Sequence, residues 1–181
     1  SLEKRTMGSA DVLITVAEPL RQQLKELHRG KKTYVLTNGD DRKSFEKKNN
    51  QLTENFTITY TGQIYRQQDP QKIFLALRQL IDENCIIADK VKLRFFGPFS
   101  KIVDKLAKKH NLGAITEQNR VISPEDCIPK QQESHLLLLF NWEDEKAKGL
   151  YSQKIFDYLG AKRPILATGG FHNDDVRDQL L

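Results

Sequence analysis

From residue 56 to residue 167 short apolar runs alternate with amphipathic stretches of helical period, and this alternation constrains the fold more than any other feature of the chain. Segments 56–61, 91–96, 120–122, 135–140 and 164–167 read as strands. Helices are expected over 70–82, with Ile73, Phe74, Leu77, Leu80 and Ile81 on one face, and from the Ser100 cap with Ile102, Val103 and Leu106 inward. Two more are expected from Ser123-Pro124-Glu125-Asp126 and over 152–160, the latter with Ile155, Phe156 and Leu159 inward. Strands separated by helices of about ten residues give βαβ units. The expected fold class is therefore α/β: a Rossmann-like three-layer α/β/α arrangement around a parallel sheet. Its strands should be continuously apolar, with Ile58, Leu93, Leu137 and Ile165 buried. Ligands in such sheets bind at the carboxyl ends of the strands, near a switch in strand order. That directs attention to Gly62, Gly97, Ser123, residues 141–152 and residues 168–170.

Before this series lies a shorter one. Residues 12–16 read as a strand, Pro19 opens a helix carrying Leu20, Leu24 and Leu27 to Gly30, and 33–36 reads as a second strand closed by Asn38-Gly39. The polar stretch 40–55 reads as a linker, 141–149 as a charged loop and 173–180 as a last helix. The expected organisation is a strand–helix–strand piece over 1–39, a linker over 40–55 and a ligand-binding domain over 56–181.

Composition narrows the function. The 181 residues are 38% hydrophobic and 29% charged, as in a soluble globular protein, and no apolar run or signal sequence suggests a membrane span or export. Two cysteines, Cys85 and Cys127, make neither a disulfide framework nor a zinc site, and a reducing cytoplasm is the simplest home. They are expected as small apolar fillers. The net charge is +5, with 11 Lys/Arg against 7 Asp/Glu in the first fifty residues. The lysine pairs lack the interleaved aromatics of a nucleic-acid surface, so no nucleic-acid partner is expected. A basic face suits a phosphorylated small molecule or anionic lipid. No G-x-G-x-x-G, Walker A or G-x-S-x-G motif occurs, and His28, His110, His135 and His172 have no metal spacing. These absences argue against dinucleotide, hydrolase and zinc chemistry; no metal or cofactor is expected.

The informative stretch is 149–166. It reads as a loop feeding a helix N-terminus after a buried strand, and the unpaired first-turn N–H groups of such a helix favour a phosphate or diphosphate. Lys154 can add a full positive charge, and Asp157, three residues on, can accept hydrogen bonds from a ribose diol. The same i,i+3 spacing equally describes a surface ion pair.

Four blocks carry a resemblance. Ala10-Asp11-Val12-Leu13-Ile14-Thr15-Val16 with Thr37-Asn38-Gly39-Asp40-Asp41 and Phe45 is the first; Thr59-Tyr60-Thr61-Gly62-Gln63-Ile64-Tyr65 is the second. Leu93-Arg94-Phe95-Phe96-Gly97 is the third; Lys154-Ile155-Phe156-Asp157-Tyr158-Leu159 with Lys162-Arg163-Pro164-Ile165-Leu166-Ala167 is the fourth. In this order they resemble the C-terminal, donor-binding half of a GT-B-fold glycosyltransferase of the retaining, bacterial surface-glycan group, preceded by the tail of its N-terminal domain. The resemblance implies a nucleotide diphospho-sugar donor and a glycan or glycolipid acceptor held by an N-terminal domain of which only a remnant is present. It also implies metal-independent transfer and a role in cell-surface polysaccharide or lipopolysaccharide synthesis, in the cytoplasm or at the inner face of the membrane. This chain alone would be inactive, with a C-terminal end shorter than in relatives.

The resemblance assigns Gly62 and Gly97 to the strand ends, with Gly62 approaching the phosphates. Ser152 and Lys154 fall to the diphosphate, Asp157 to the ribose, and Ile122 and Ser123 to the base. The family's E-x(7)-E signature is altered: Asp157 takes the place of the second Glu, and Gly149 that of the first. The usual loop cations are replaced by Gln63 and Gln68, leaving Arg66 as the substitute. No catalytic residue is assigned. The alternatives are a nucleotide-sugar epimerase-like enzyme or a non-catalytic binding module of the same fold; a basic nucleic-acid-binding α/β domain is a third.

Overall fold

The computed structural model describes residues 2–39, 45, 51–143 and 152–170. They fall into two compact units, one built on 2–39 and the other on 51–143 and 154–169. The helix expected over 173–180 and most of the loop expected over 141–149 lie outside the described residues.

In the first unit α1 (Leu2–Gly8), which has no counterpart among the expected elements, precedes β1 (Val12–Thr15), α2 (Glu18–Leu27) and β2 (Lys32–Val35). The strands pair parallel in a sheet of their own, Val12 opposite Lys32 and Thr15 opposite Val35. Pro19 falls in the first turn of α2, where its missing N–H costs nothing, and Gly30 takes a positive φ of 88° just past the helix. Leu13 and Ala17 are buried, whereas Leu27 is exposed, so the expected inward face of α2 is only partly covered.

The second unit carries β3 (Phe56–Thr61), α3 (Gln71–Asp82), β4 (Val91–Phe96), α4 (Lys101–Lys109), β5 (Thr116–Asn119), α5 (Pro124–Gln132), β6 (Leu136–Phe140), α6 (Lys154–Ala161) and β7 (Ile165–Thr168). All five strands are parallel, in the order β5-β4-β3-β6-β7. The expected three-layer parallel fold is present. Strand order reverses between β3 and β6, which creates a crevice at their carboxyl ends.

The two faces of β3 differ. Ile58 and Tyr60 join Phe74, Leu77, Leu93, Phe95, Val103, Leu138 and Phe140 in an apolar core beneath α3 and α4. Thr57, Thr59 and Thr61 face the other way and are also buried. Their hydroxyls are satisfied. Thr53 Oγ1 lies 2.6 Å from Thr57 Oγ1, Ser134 Oγ donates to Thr59 Oγ1 at 2.7 Å, and Gln131 Nε2 donates to Thr61 Oγ1 at 3.1 Å. The expectation of continuously apolar strands therefore fails at β3. A polar row can be buried there because Gln131 of α5, Ser134 just beyond that helix and Thr53 before β3 supply partners.

Other expectations shift. The strand expected at 120–122 lies at Thr116–Asn119, where polar edge residues hide it from an apolar-run criterion. Ile165 is only half-buried, because β7 is the opposite edge. Ile102 and Leu80 point outward. Ser100 occupies the N-cap of α4 without a side-chain capping bond. Helix α6 starts at Lys154 and buries Ile155, Tyr158 and Ala161, while Leu159 is exposed and Phe156 half-buried. Cys85 is exposed rather than filling the core.

Candidate functional site at the carboxyl edge of the sheet

Strand β3 ends at Gly62, which adopts a φ of +112°, a region that favours glycine. Gly62 N–H donates to Phe96 O at 2.7 Å, tying the ends of β3 and β4 together. The two loops approach so closely that a methyl group on Gly97 would lie 2.3 Å from Gly62 O. A methyl group on Gly62 would meet the side chain of Lys154, 2.7 Å from Cε and 3.0 Å from Nζ. The expected pair of glycines thus occurs at adjacent strand ends, and Gly62 gives room to the lysine.

The Lys154 ammonium sits 5.4 Å from the centre of the Tyr60 ring, in cation–π reach. Burial pulls its pKa below the ordinary lysine value, while Asp157 and Cys127 pull the other way. Asp157 is half-buried one turn along α6 and acts electrostatically on Lys154 and on Cys127 of α5. Burial, then Asp157 and Asp126, push the Cys127 thiol up, which keeps it protonated at neutral pH. Lys154 and Asp157 therefore belong to one local cluster, as their spacing allowed. Cys127 joins it without a sequence signal, since nothing in the primary structure aligns α5 with α6.

The floor of this cluster is rigid. Thr61 N–H donates to the hydroxyl of Tyr158 at 3.1 Å, and burial pushes the Tyr158 pKa up to about 12. Tyr60 donates its hydroxyl proton to Gln63 O at 2.8 Å. Gln68, expected where relatives place a loop cation, is buried and structural. Its Nε2 donates to Phe140 O at 2.7 Å and its Oε1 accepts from Tyr65 N–H at 3.0 Å, joining the β3–α3 loop to the end of β6. Arg66 is exposed in that loop.

A cavity of about 330 Å³ opens at the carboxyl ends of β4 and β5, lined by Gly97, Pro98, Phe99, Asn119, Arg120 and Val121 among others. Asn119 Nδ2 is buried there with no hydrogen-bond partner among the described residues. Ile122 and Ser123 follow the cavity lining; Ser123 caps α5, its Oγ accepting from Asp126 N–H at 3.1 Å. Ser152 lies two residues before α6 and groups with the first unit. Among the described residues no cluster of three or more potential metal ligands occurs, and no helix is long and apolar enough to cross a membrane.

No protein-family model and no curated protein sequence matches the chain. Solved structures do. The pneumococcal O-GlcNAc transferase GtfA, solved with UDP and GlcNAc, superposes with a TM-score of 0.68 at 9% identity, over 96% of this chain and 33% of GtfA. A mutant of S. aureus TarM, solved with fondaparinux, alpha-GlcNAc-glycerol and UDP, gives 0.64 at 11% identity, over 90% of this chain and 30% of TarM. WaaG, a glycosyltransferase involved in lipopolysaccharide biosynthesis, gives 0.64 at 14% identity, over 86% and 43%. The chain spans less than half the length of each of these structures. At these identities the likeness is one of fold: the described chain has the Rossmann-like architecture of GT-B-fold glycosyltransferases, as the sequence blocks implied.

Proposed function

We propose that this chain is the donor-binding part of a glycosyltransferase, and that its carboxyl edge binds a nucleotide diphospho-sugar. The observation that carries the reading is Lys154 lying across Gly62 at the switch in strand order, with Asp157 one turn on. A diphosphate at this place meets the lysine ammonium, the N-terminus of α6 and the loop after β3. Together they stabilise the negative charge that grows on the leaving group, without a bound metal. Asp157 accepts from the ribose diol. The cavity beside Gly97, rather than Ile122 and Ser123 alone, takes the base. The unit of residues 51–143 and 154–169 forms the donor domain, and residues 2–39 are a part of the acceptor domain. Arg66 is a secondary contact to the phosphates. No separate cofactor takes part. The acceptor is a glycan or glycolipid of cell-surface polysaccharide or lipopolysaccharide synthesis, reached in the cytoplasm or at the inner membrane face.

Calorimetric titration of the chain with UDP, GDP and the corresponding nucleosides tests the reading. Weak binding of a nucleoside diphosphate, lost in Asp157→Ala, supports it. Equal binding by wild type and Asp157→Ala, or no binding, overturns it.

A further inference from the structure

We propose that Tyr65 and Trp142 form the platform on which the sugar ring of the donor stacks; the proposal rests on the donor-binding reading above. Their ring centres lie 5.3 Å apart with planes 30° from parallel. Tyr65 is 45% exposed and Trp142 half-buried, so two large rings are held together at the surface instead of being driven into the core. The apolar C–H face of a pyranose carries a slight positive potential, and the faces of aromatic rings are negative. Such a pair offers a sugar ring both dispersion contact and electrostatic fit.

The pair is built rigidly. Buried Gln68 fixes the Tyr65 backbone through its Oε1 and reaches Phe140 O through its Nε2. Gln68 N–H also donates to Tyr65 O at 3.0 Å. Beyond the end of β6, Glu143 N–H donates to Gln67 O at 3.2 Å, and the Glu143 carboxylate pairs with Lys72. Loop and strand end are thereby stapled on both sides of the two rings, and a preorganised surface loses little entropy when it binds.

Position selects the occupant. Tyr65 is three residues beyond Gly62, so the two Cα atoms are at most about 10 Å apart. Trp142 follows the end of β6, the strand beside β3. The base-sized cavity lies on the other side of β3, at β4 and β5. The carboxyl edge thus presents, in strand order, a cavity, a lysine over a glycine and an aromatic pair. That is the order of base, diphosphate and sugar in one donor molecule. A sugar joined to a diphosphate at Lys154 reaches the pair; no second ligand is needed.

Trp142 is the single tryptophan of the chain, so its fluorescence reports the site without a label. The protein is titrated with UDP, UDP-N-acetylglucosamine, GDP, GDP-mannose and free N-acetylglucosamine and mannose, followed by calorimetry and Trp142 emission. The expected result is that one nucleotide sugar shifts the emission and binds about 3- to 10-fold tighter than its nucleoside diphosphate. Tyr65→Ala should remove that advantage while changing nucleoside diphosphate affinity by less than about 3-fold, and Tyr65→Phe should restore it. If a nucleoside diphosphate binds but its sugar adds neither affinity nor an emission change, the platform is overturned and the donor reading stands. If a free monosaccharide moves the emission as much as the nucleotide sugar, the assignment to the donor sugar is overturned. If no nucleotide binds, the donor reading falls, and the platform falls with it.

Discussion

Lys154 lies so close over Gly62 that only a hydrogen atom fits between them without a shift: a methyl carbon would stand 2.7 Å from Lys154 Cε. The resemblance assigned Gly62 to the phosphates. The structure gives it first to the lysine, and any phosphate role follows from where the lysine is held.

Gly62→Ala and Gly97→Ala should therefore differ. At Gly62 the obstacle is the far end of a flexible side chain plus a φ of +112°, and the cost should be about 1–2 kcal/mol, with displacement of Lys154. At Gly97 the obstacle is the Gly62 carbonyl at 2.3 Å, so backbone must move and the cost should reach about 2–3 kcal/mol. Urea unfolding of both variants checks the order. An equal loss would mean that the loops part easily.

Lys154→Ala should weaken nucleoside diphosphate more than nucleoside, since it acts on phosphate. Asp157→Ala should weaken both by about 1–3 kcal/mol, the scale for losing a charged acceptor. The lowered pKa of Lys154 adds a pH dependence. The anion binds the protonated amine, so affinity for the diphosphate is full well below the folded pKa and falls as pH rises through it, starting below the ordinary value of 10.5. Lys154→Arg should flatten that fall. Titrations at several pH values between 7 and 10.5 measure it.

Tyr158→Phe removes the acceptor of the buried Thr61 N–H and should cost about 1–3 kcal/mol. It should also change the alkaline limb of stability. The Tyr158 phenol ionises near 10 in the unfolded chain and near 12 in the folded one, so the unfolded state holds fewer protons between those values. Stability contributed by this group is present below pH 10 and is lost as pH rises toward 12. Chemical denaturation from about pH 9 upward should show a shallower decline in Tyr158→Phe than in the wild type.

Glu133 accepts from Arg94 Nη1 at 2.9 Å and Lys130 Nζ at 3.1 Å, with the Arg94 and Glu133 side chains 11% and 14% exposed. Glu133→Ala leaves Arg94 nearly buried without its carboxylate and should destabilise by about 2–3 kcal/mol, while Glu133→Gln keeps an acceptor and should cost less. Thermal melts compare the two. A loss within about 0.5 kcal/mol for Glu133→Ala, the range of ordinary surface changes, would show that water reaches Arg94 freely.

How much of this was legible in the sequence depends on the kind of signal. Strands β3, β4, β6 and β7 announced themselves by apolar or branched runs, and α3 and α5 by periodicity or capping residues. Strand β5 did not, because an edge strand of Thr-Glu-Gln-Asn satisfies its backbone on one side and needs no apolar face. Lys154 and Asp157 were legible because both lie on one helix, where spacing predicts proximity. Cys127, Tyr60, Trp142 and the buried staple Gln68 were not, because their neighbours come from other elements. Gln68 in particular reads as a lost cation until its bond to Phe140 O is seen.

The threonine row of β3 has a consequence for folding specificity. Along a strand the side chains alternate, so a slip of one residue would bring Thr57, Thr59 and Thr61 into the hydrocarbon core and turn Ile58 and Tyr60 toward the threonines' polar partners Thr53, Ser134 and Gln131. A central strand apolar on both faces would tolerate that error far better. The hydroxyls thus act as an address: they admit β3 in one register only, and that register sets where the chain turns at Gly62 and which groove the lysine of α6 finds.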